Sequence, residues 1–258
     1  MDVVICRSYE ELSKAAAAVV ADLVNHKPNA VLGFATGSSP VGLYQELARL
    51  HHKEGLDFSK VTTFNLDEYV GLAGDHPQSY RRFMNEHLFN HINVPVQNTH
   101  VPSGTSTNPR AFCEWYEKQI RDAGGIDLQV LGIGSDGHVA FNEPGSSLGS
   151  RTRMVTLTEQ TIDDNARFFK KKADVPRHAI SMGVGTILEA RKLLMVVNGK
   201  NKAPALAAAI EGPITSMITA SALQLHPDAV VFVDEDAAAQ LKMRDYYEWI
   251  QKQAKAGN

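Results

Sequence analysis

Short apolar runs recur along the chain at residues 3–6, 30–35, 61–66, 128–133, 179–182, 193–197 and 229–233, each closed by glycine, proline or polar residues. Runs of this length between turn residues read as buried strands. Between them lie helical patterns at residues 9–25, 40–49, 79–90, 110–122, 160–169 and 203–211, and a shorter one ending near residue 190. The alanines at 15–18 favour helix because little side-chain entropy is lost there. Residues 154–158 form a further strand candidate, and 246–255 a polar helix or tail. Repeated strand, turn and helix predict an α/β sheet covered by helices. One domain is expected over residues 1–258, with a loop or lid excursion within 67–109, where Gly74-Asp75-His76-Pro77, Pro95, Pro102 and Pro109 interrupt regular structure.

A chain of 258 residues can bury a substantial core. Its net charge of -3, with both signs spread along the chain, gives no reason to expect nucleic acid as a partner. Attraction for an anionic ligand must then be local. No stretch approaches a membrane-spanning length, and the N-terminal stretch, with Asp2, Glu10 and Glu11, has no uninterrupted apolar run of the leader type, so the expected location is the cytoplasm. Cys6 and Cys113 have no metal-site spacing and are expected to pack as small hydrophobes. Trp115 and Tyr116 are expected to pack as well. His87 and His91 could share a helix face but lack a third ligand, and the lysines at 170–172 read as a solvated helix end.

Chemistry gathers where the strands stop. Thr36-Gly37-Ser38-Ser39-Pro40 follows one strand and opens a helix. Its glycine permits a tight turn, its hydroxyls can donate to phosphate oxygens, and unpaired N–H groups at a helix start attract anions. The same composition also suits an ordinary turn. Asp67-Glu68 follows another strand, and Asp67 reads either as a functional carboxylate or as a cap. Gly134-Ser135-Asp136-Gly137-His138 and Glu143-Pro144 follow the central run. Acids and an imidazole at the carboxyl end of a core strand stand where open α/β sheets carry active sites. Lys200 and Lys202 precede a helix, a poor place for lysine unless an anion is nearby.

Carboxylates and histidine in this setting suit proton transfer on a small oxygen-rich substrate, including ring opening and isomerisation of a sugar phosphate. They suit hydrolysis or sensing too. Asp136, His138 and Glu143 also compose a possible divalent-metal set, against which stand the tight turn at Gly137 and the proline after Glu143.

Longer motifs narrow the choice. The stretches 35–40, 64–72, 132–144 and 150–153, with Gly183-Val184-Gly185-Thr186 and Leu223-Gln224-Leu225-His226-Pro227, closely resemble those of glucosamine-6-phosphate deaminases. The resemblance spans most of the chain and implies a modified Rossmann-like fold: an open, mostly parallel α/β sheet with helices on both faces. It implies conversion of D-glucosamine 6-phosphate and water to D-fructose 6-phosphate and ammonia, in amino-sugar catabolism, with no cofactor and no metal. His138 would open the sugar ring, oriented by Asp136 and Glu143. Asp67 would move the proton from C2 to C1, with a pKa expected to be only modestly raised. The phosphate would lie against Gly37, Ser38, Ser39, Arg167 and Lys202.

Some members of that family are hexamers activated by N-acetylglucosamine 6-phosphate. Ser146, Arg153 and Thr156 match their effector-binding pattern, but Val155 replaces a lysine. Weak or absent activation is therefore expected, and the chain is expected as a monomer or homo-oligomer. Alternatives are 6-phosphogluconolactonase, disfavoured by the intact 64–72 motif, and a sugar-sensing regulator domain, disfavoured because no basic DNA-reading segment precedes Val3.

Overall fold

Ser8 turns the chain from its first strand into its first helix, its hydroxyl accepting the Glu11 N–H at 3.1 Å. The device recurs at Ser79, Asn108 and Thr158, which accept from Arg82, Ala111 and Thr161. Each satisfies a backbone donor that a helix start leaves unpaired.

The computed structural model describes residues 1–256. Its elements run β1 (Asp2–Cys6), α1 (Tyr9–His26), β2 (Val31–Phe34), α2 (Val41–Glu54), β3 (Thr62–Asn65), β4 (Asp67–Tyr69), α3 (Tyr80–His87), β5 (Thr99–His100) and α4 (Pro109–Asp122). They continue β6 (Leu128–Leu131), β7 (Arg153–Thr156), α5 (Glu159–Ala166), β8 (His178–Ser181), α6 (Val184–Leu188), β9 (Lys192–Val197), α7 (Ala203–Glu211), β10 (Ala229–Asp234) and α8 (Arg244–Ala256).

Seven strands pair in the order β1-β10-β9-β6-β2-β3-β5, every neighbouring pair parallel. From β2 the chain moves outward through β3 to β5, whereas from β6 it moves the other way through β9 to β10. The crevice above the carboxyl ends of β2 and β6 is thus the switch point at which such a sheet offers room for a ligand. Beside this sheet, β4, β8 and β7 form an antiparallel three-stranded sheet.

Strand residues alternate between two apolar layers, as their period of two requires. Val231 and Val233 of β10 join Phe64, Leu131, Tyr116, Ile187 and Leu206 on one face. Val230 and Phe232 join Leu32, Val130, Leu12, Leu43 and Met84 on the other. Helices therefore cover both faces, as the resemblance implies. Close approach of β2 and β6 depends on Gly33, where a Cβ would lie 2.0 Å from the Gln129 Oε1.

Cys6 and Cys113 are both buried, as expected. Trp115 is not: Tyr116 occupies the core side of α4 and leaves Trp115 46% exposed. The proline-rich stretch 93–109 is less irregular than expected, because Thr99 and His100 extend the sheet beside Thr63 and Phe64. Arg167, expected inside a helix, caps the end of α5 instead. No helix among the described residues is long and apolar enough to cross a membrane.

Candidate active site

A cavity of about 290 Å³ opens above the carboxyl ends of β2, β3 and β6. Gly37, Ser38, Ser39, Asp67, His138, Arg167 and Lys202 all line it, although they come from segments far apart in the chain. Asp136 and Glu143 do not; they stand behind His138. Tyr80, Asp164 and Phe168 complete the wall.

Asp67 begins β4, where pairing with Ser181 of β8 holds the backbone. Its side chain is 6% exposed, and burial, helped by the charge of Glu68, pushes its pKa up to about 8. That exceeds the modest rise expected, because desolvation sums over all the surroundings of the group. Glu68 takes the capping role that sequence reading had offered Asp67. Its carboxylate accepts from the Tyr80 and Arg81 N–H groups at 3.0 Å and from the Ser79 hydroxyl at 2.8 Å, all at the start of α3.

The central turn sets the imidazole between two acids. His138 Nδ1 lies 2.6 Å from Asp136 Oδ1 and 3.7 Å from Glu143 Oε2. The short contact is off-axis, so Nδ1 has no well-aligned acceptor and Glu143 Oε2 no donor. Asp136 Oδ1 also accepts the His138 N–H at 3.1 Å, and Glu143 Oε1 the Thr158 N–H at 3.3 Å. Burial alone would raise the Asp136 pKa, but the nearby imidazole and the backbone N–H of His138 outweigh it and leave it lowered. Beneath the ring, Gly134 leaves no room for a side chain: a Cβ there would stand 2.4 Å from His138 Cε1.

Two cations, Arg167 and Lys202, also line the cavity. Burial lowers the Lys202 pKa, and nearby Arg167 lowers it further against the pull of Asp164 and Asp136. An anion between these cations would relieve both penalties. Ser39 is committed elsewhere: its hydroxyl donates to Asn198 Oδ1 at 2.7 Å, tying the β2 loop to the Lys202 segment. What Ser39 retains for a ligand is its backbone N–H, at the start of a helix that has no side-chain cap. Outside the cavity, the Tyr9 hydroxyl braces this loop, accepting the Gly42 N–H at 2.7 Å and lying 3.1 and 3.0 Å from the Ser38 and Ser39 carbonyls.

Asp136, His138 and Glu143 each offer a ligand atom, all within 4.8 Å of one another, so this trio is the described set able to hold a divalent ion. Sequence reading missed Tyr9, Tyr80, Asp164, Phe168 and Asn198. Only Tyr80 had a local signal, the capping Ser79 before it. The others reach the site through tertiary contacts.

A sequence model of the family described as glucosamine-6-phosphate isomerases/6-phosphogluconolactonase matches residues 7–240. A glucosamine-6-phosphate deaminase of Shewanella woodyi is 52% identical over 251 residues, covering 97% of this chain and 95% of that one. Another, of Clostridium perfringens, is 51% identical over 242 residues, covering 94% and 100%. Among solved structures, a monomeric glucosamine-6-phosphate deaminase superposes with a TM-score of 0.91 at 46% identity, covering 93% of this chain and 100% of that one. A 6-phosphogluconolactonase of Trypanosoma brucei superposes at 0.74 with 20% identity, covering 93% and 98%, a likeness of fold alone.

Proposed function

The chain belongs to the glucosamine-6-phosphate isomerase and 6-phosphogluconolactonase family, and from this we propose that it is a deaminase converting D-glucosamine 6-phosphate and water to D-fructose 6-phosphate and ammonia. The observation that carries the reading is that Asp67 and His138 line one cavity together with Lys202 and Arg167.

In the proposed sequence, the phosphate binds Lys202, Arg167 and the N–H groups of Gly37, Ser38 and Ser39. Anchoring there supplies binding energy away from the reacting carbons and fixes the pose. His138 moves a proton from the C1 hydroxyl to the ring oxygen, opening the ring to an aldehyde. Asp136 and Glu143 bracket its Nδ1, which leaves Nε2 for the sugar and stabilises the imidazolium as it forms. Asp67 then takes the C2 proton while the C1 oxygen gains one, giving an enolamine. Returning the proton to C1 gives the 2-imine, which adds water and expels ammonia. A high pKa suits Asp67, since a weakly solvated carboxylate is a stronger base.

Incubation with glucosamine 6-phosphate, following ammonia and fructose 6-phosphate together, tests this assignment. Equal release of both is expected. Hydrolysis of 6-phosphogluconolactone without ammonia release from the amino sugar would favour the lactonase branch instead.

The proposal extends to regulation. Arg153 donates to Asn142 and Ser146 at 2.9 and 3.2 Å, so part of the effector-like set is engaged within the chain, and Val155 brings no charge to it. A monomer with hyperbolic kinetics is the reading this supports. A sigmoidal substrate curve made hyperbolic by N-acetylglucosamine 6-phosphate would overturn it.

A further inference from the structure

The turn that carries His138 has little regular structure of its own. Gly137, Ala140 and Gly145 all have positive φ, at 89°, 51° and 91°, and alanine rarely occupies that region. Its own hydrogen bonds are short-range: the Gly134 N–H donates to the His138 carbonyl at 2.8 Å, the Gly137 N–H to the Gly134 carbonyl at 3.2 Å, and the Asn142 N–H and side-chain amide to the Val139 carbonyl at 3.0 Å. Segments outside the turn hold it as well: the Ser181 hydroxyl accepts the Phe141 N–H at 3.0 Å and the Met182 carbonyl the Asn142 side-chain amide at 2.8 Å.

Residues 215–221 do so at several points. The Ala220 N–H donates to the Gly137 carbonyl at 3.0 Å and the Gly145 N–H to the Ser216 carbonyl at 2.8 Å. Ile218 packs so closely under Gly137 that a Cβ there would lie 2.8 Å from its Cγ2. The segment is itself braced, with the Ser221 hydroxyl accepting the Thr215 N–H at 2.8 Å and donating to the Thr215 carbonyl at 3.0 Å.

Within it, one side chain clamps both strands of the hairpin. The Thr219 hydroxyl accepts the Val139 N–H at 3.2 Å and donates to the Asn142 carbonyl at 2.8 Å. Those two residues immediately follow His138 and precede Glu143. At 1% exposure Thr219 has no water to compete for these bonds. We infer that Thr219 is a positioning residue for the reaction, holding His138 and Glu143 at their spacing without touching the sugar. The inference rests on the deaminase reading for its kinetic consequence.

Thr219→Val keeps the shape and removes both hydrogen bonds; Thr219→Ser keeps both. Because small misplacements of catalytic groups carry large rate penalties, Thr219→Val is expected to lower kcat about tenfold or more. KM and the inhibition constant of inorganic phosphate are expected to stay within about twofold, since Thr219 does not line the cavity and bonds to none of the phosphate residues. Thr219→Ser is expected to recover most of the loss. Parental kcat in the valine variant, or a serine variant as slow as valine, would overturn the inference; if valine does not fold, Thr219→Cys replaces it in the comparison. Should the parent release no ammonia, the deaminase reading fails separately. The clamp is then decided by amide exchange at Val139 and Asn142, expected to be faster in Thr219→Val and parental in Thr219→Ser, with unchanged exchange in Thr219→Val overturning it.

Discussion

Asp67 and Glu68 are consecutive acids with divided duties: Glu68 is tied by hydrogen bonds to the start of α3, whereas Asp67 faces the cavity buried and with a pKa pushed up to about 8. The division matters because Glu68 supports the environment of Asp67. Glu68 fixes the local backbone and adds negative charge that helps Asp67 keep its proton.

Asp67→Asn is expected to abolish ammonia release while leaving phosphate-ligand binding intact. C2 deuterium exchange of bound substrate measures the missing step directly. Exchange persisting at the parental rate would remove Asp67 from the mechanism.

The pH dependence of Asp67 has two opposite signs. Because the base must be ionised, kcat/KM should rise with pH through an apparent ionisation near the folded value of about 8. Stability should fall as pH rises from the unfolded pKa of the carboxyl to about 8, and level off above it. The unfolded carboxyl ionises at its ordinary, lower pKa, so between the two values the folded state binds more protons, and raising the pH favours unfolding. Asp67→Asn cannot lose a proton, so urea midpoints should show it gaining stability over the parent as pH rises from mildly acidic to mildly alkaline.

Gly134→Ala is expected to dislodge the imidazole, since the new Cβ would stand 2.4–2.6 Å from three ring atoms of His138. A displacement of this kind should lower kcat by about 100-fold with a smaller change in KM. Steady-state kinetics check it, and parental kcat would show that the ring pose in this structure is not the productive one.

Tyr9→Phe removes the hydroxyl that braces the 38–42 loop while leaving the ring packed near Gly42. With one hydrogen bond worth about 1 kcal/mol, KM for the sugar phosphate should rise about fivefold and kcat should hold. Inhibition by inorganic phosphate should weaken in parallel. A fall in kcat alone would contradict a phosphate-loop role.

Glu117 concerns stability, not chemistry. It accepts the Thr152 N–H at 2.8 Å and the Thr152 and Thr186 hydroxyls at 2.6 Å, and pairs with Arg151. Burial alone would raise its pKa, but these bonds outweigh burial and leave it lowered. Its contribution is therefore present above the unfolded pKa and lost as pH falls through the folded one. Glu117→Gln points an amide donor at existing donors and should cost about 3 kcal/mol in urea unfolding at neutral pH. An unchanged midpoint would mean that the site relaxes around the amide.

Strands, turns and the grouping of acids around His138 were legible because their causes are local. Runs such as 128–133 are apolar over a strand's length, and Gly134 and Gly137 mark where the chain must turn tightly. The motif around His138 carries its own acids, so Asp136 and Glu143 could be paired with the imidazole from spacing and resemblance alone. An unfavourable place at a helix start marked Lys200 and Lys202 alike, and the resemblance singled out Lys202. The phosphate hydroxyls were read less well, because sequence cannot show that Asn198 already engages Ser39.

What remained was decided by contacts between distant parts of the chain. The 36–40 loop meets His138 only because β2 lies beside β6, a pairing set by sheet order and by the room Gly33 leaves for Gln129. Nothing near Thr219 or Tyr9 in sequence announces a site, since each acts across space on backbone atoms of another segment. The chain by itself determined which groups were present and where it bends; the tertiary structure decided which of two adjacent acids faces the cavity and how far its pKa rises. Desolvation and charge coupling depend on everything packed around a carboxylate, and that environment exists only once the chain is folded.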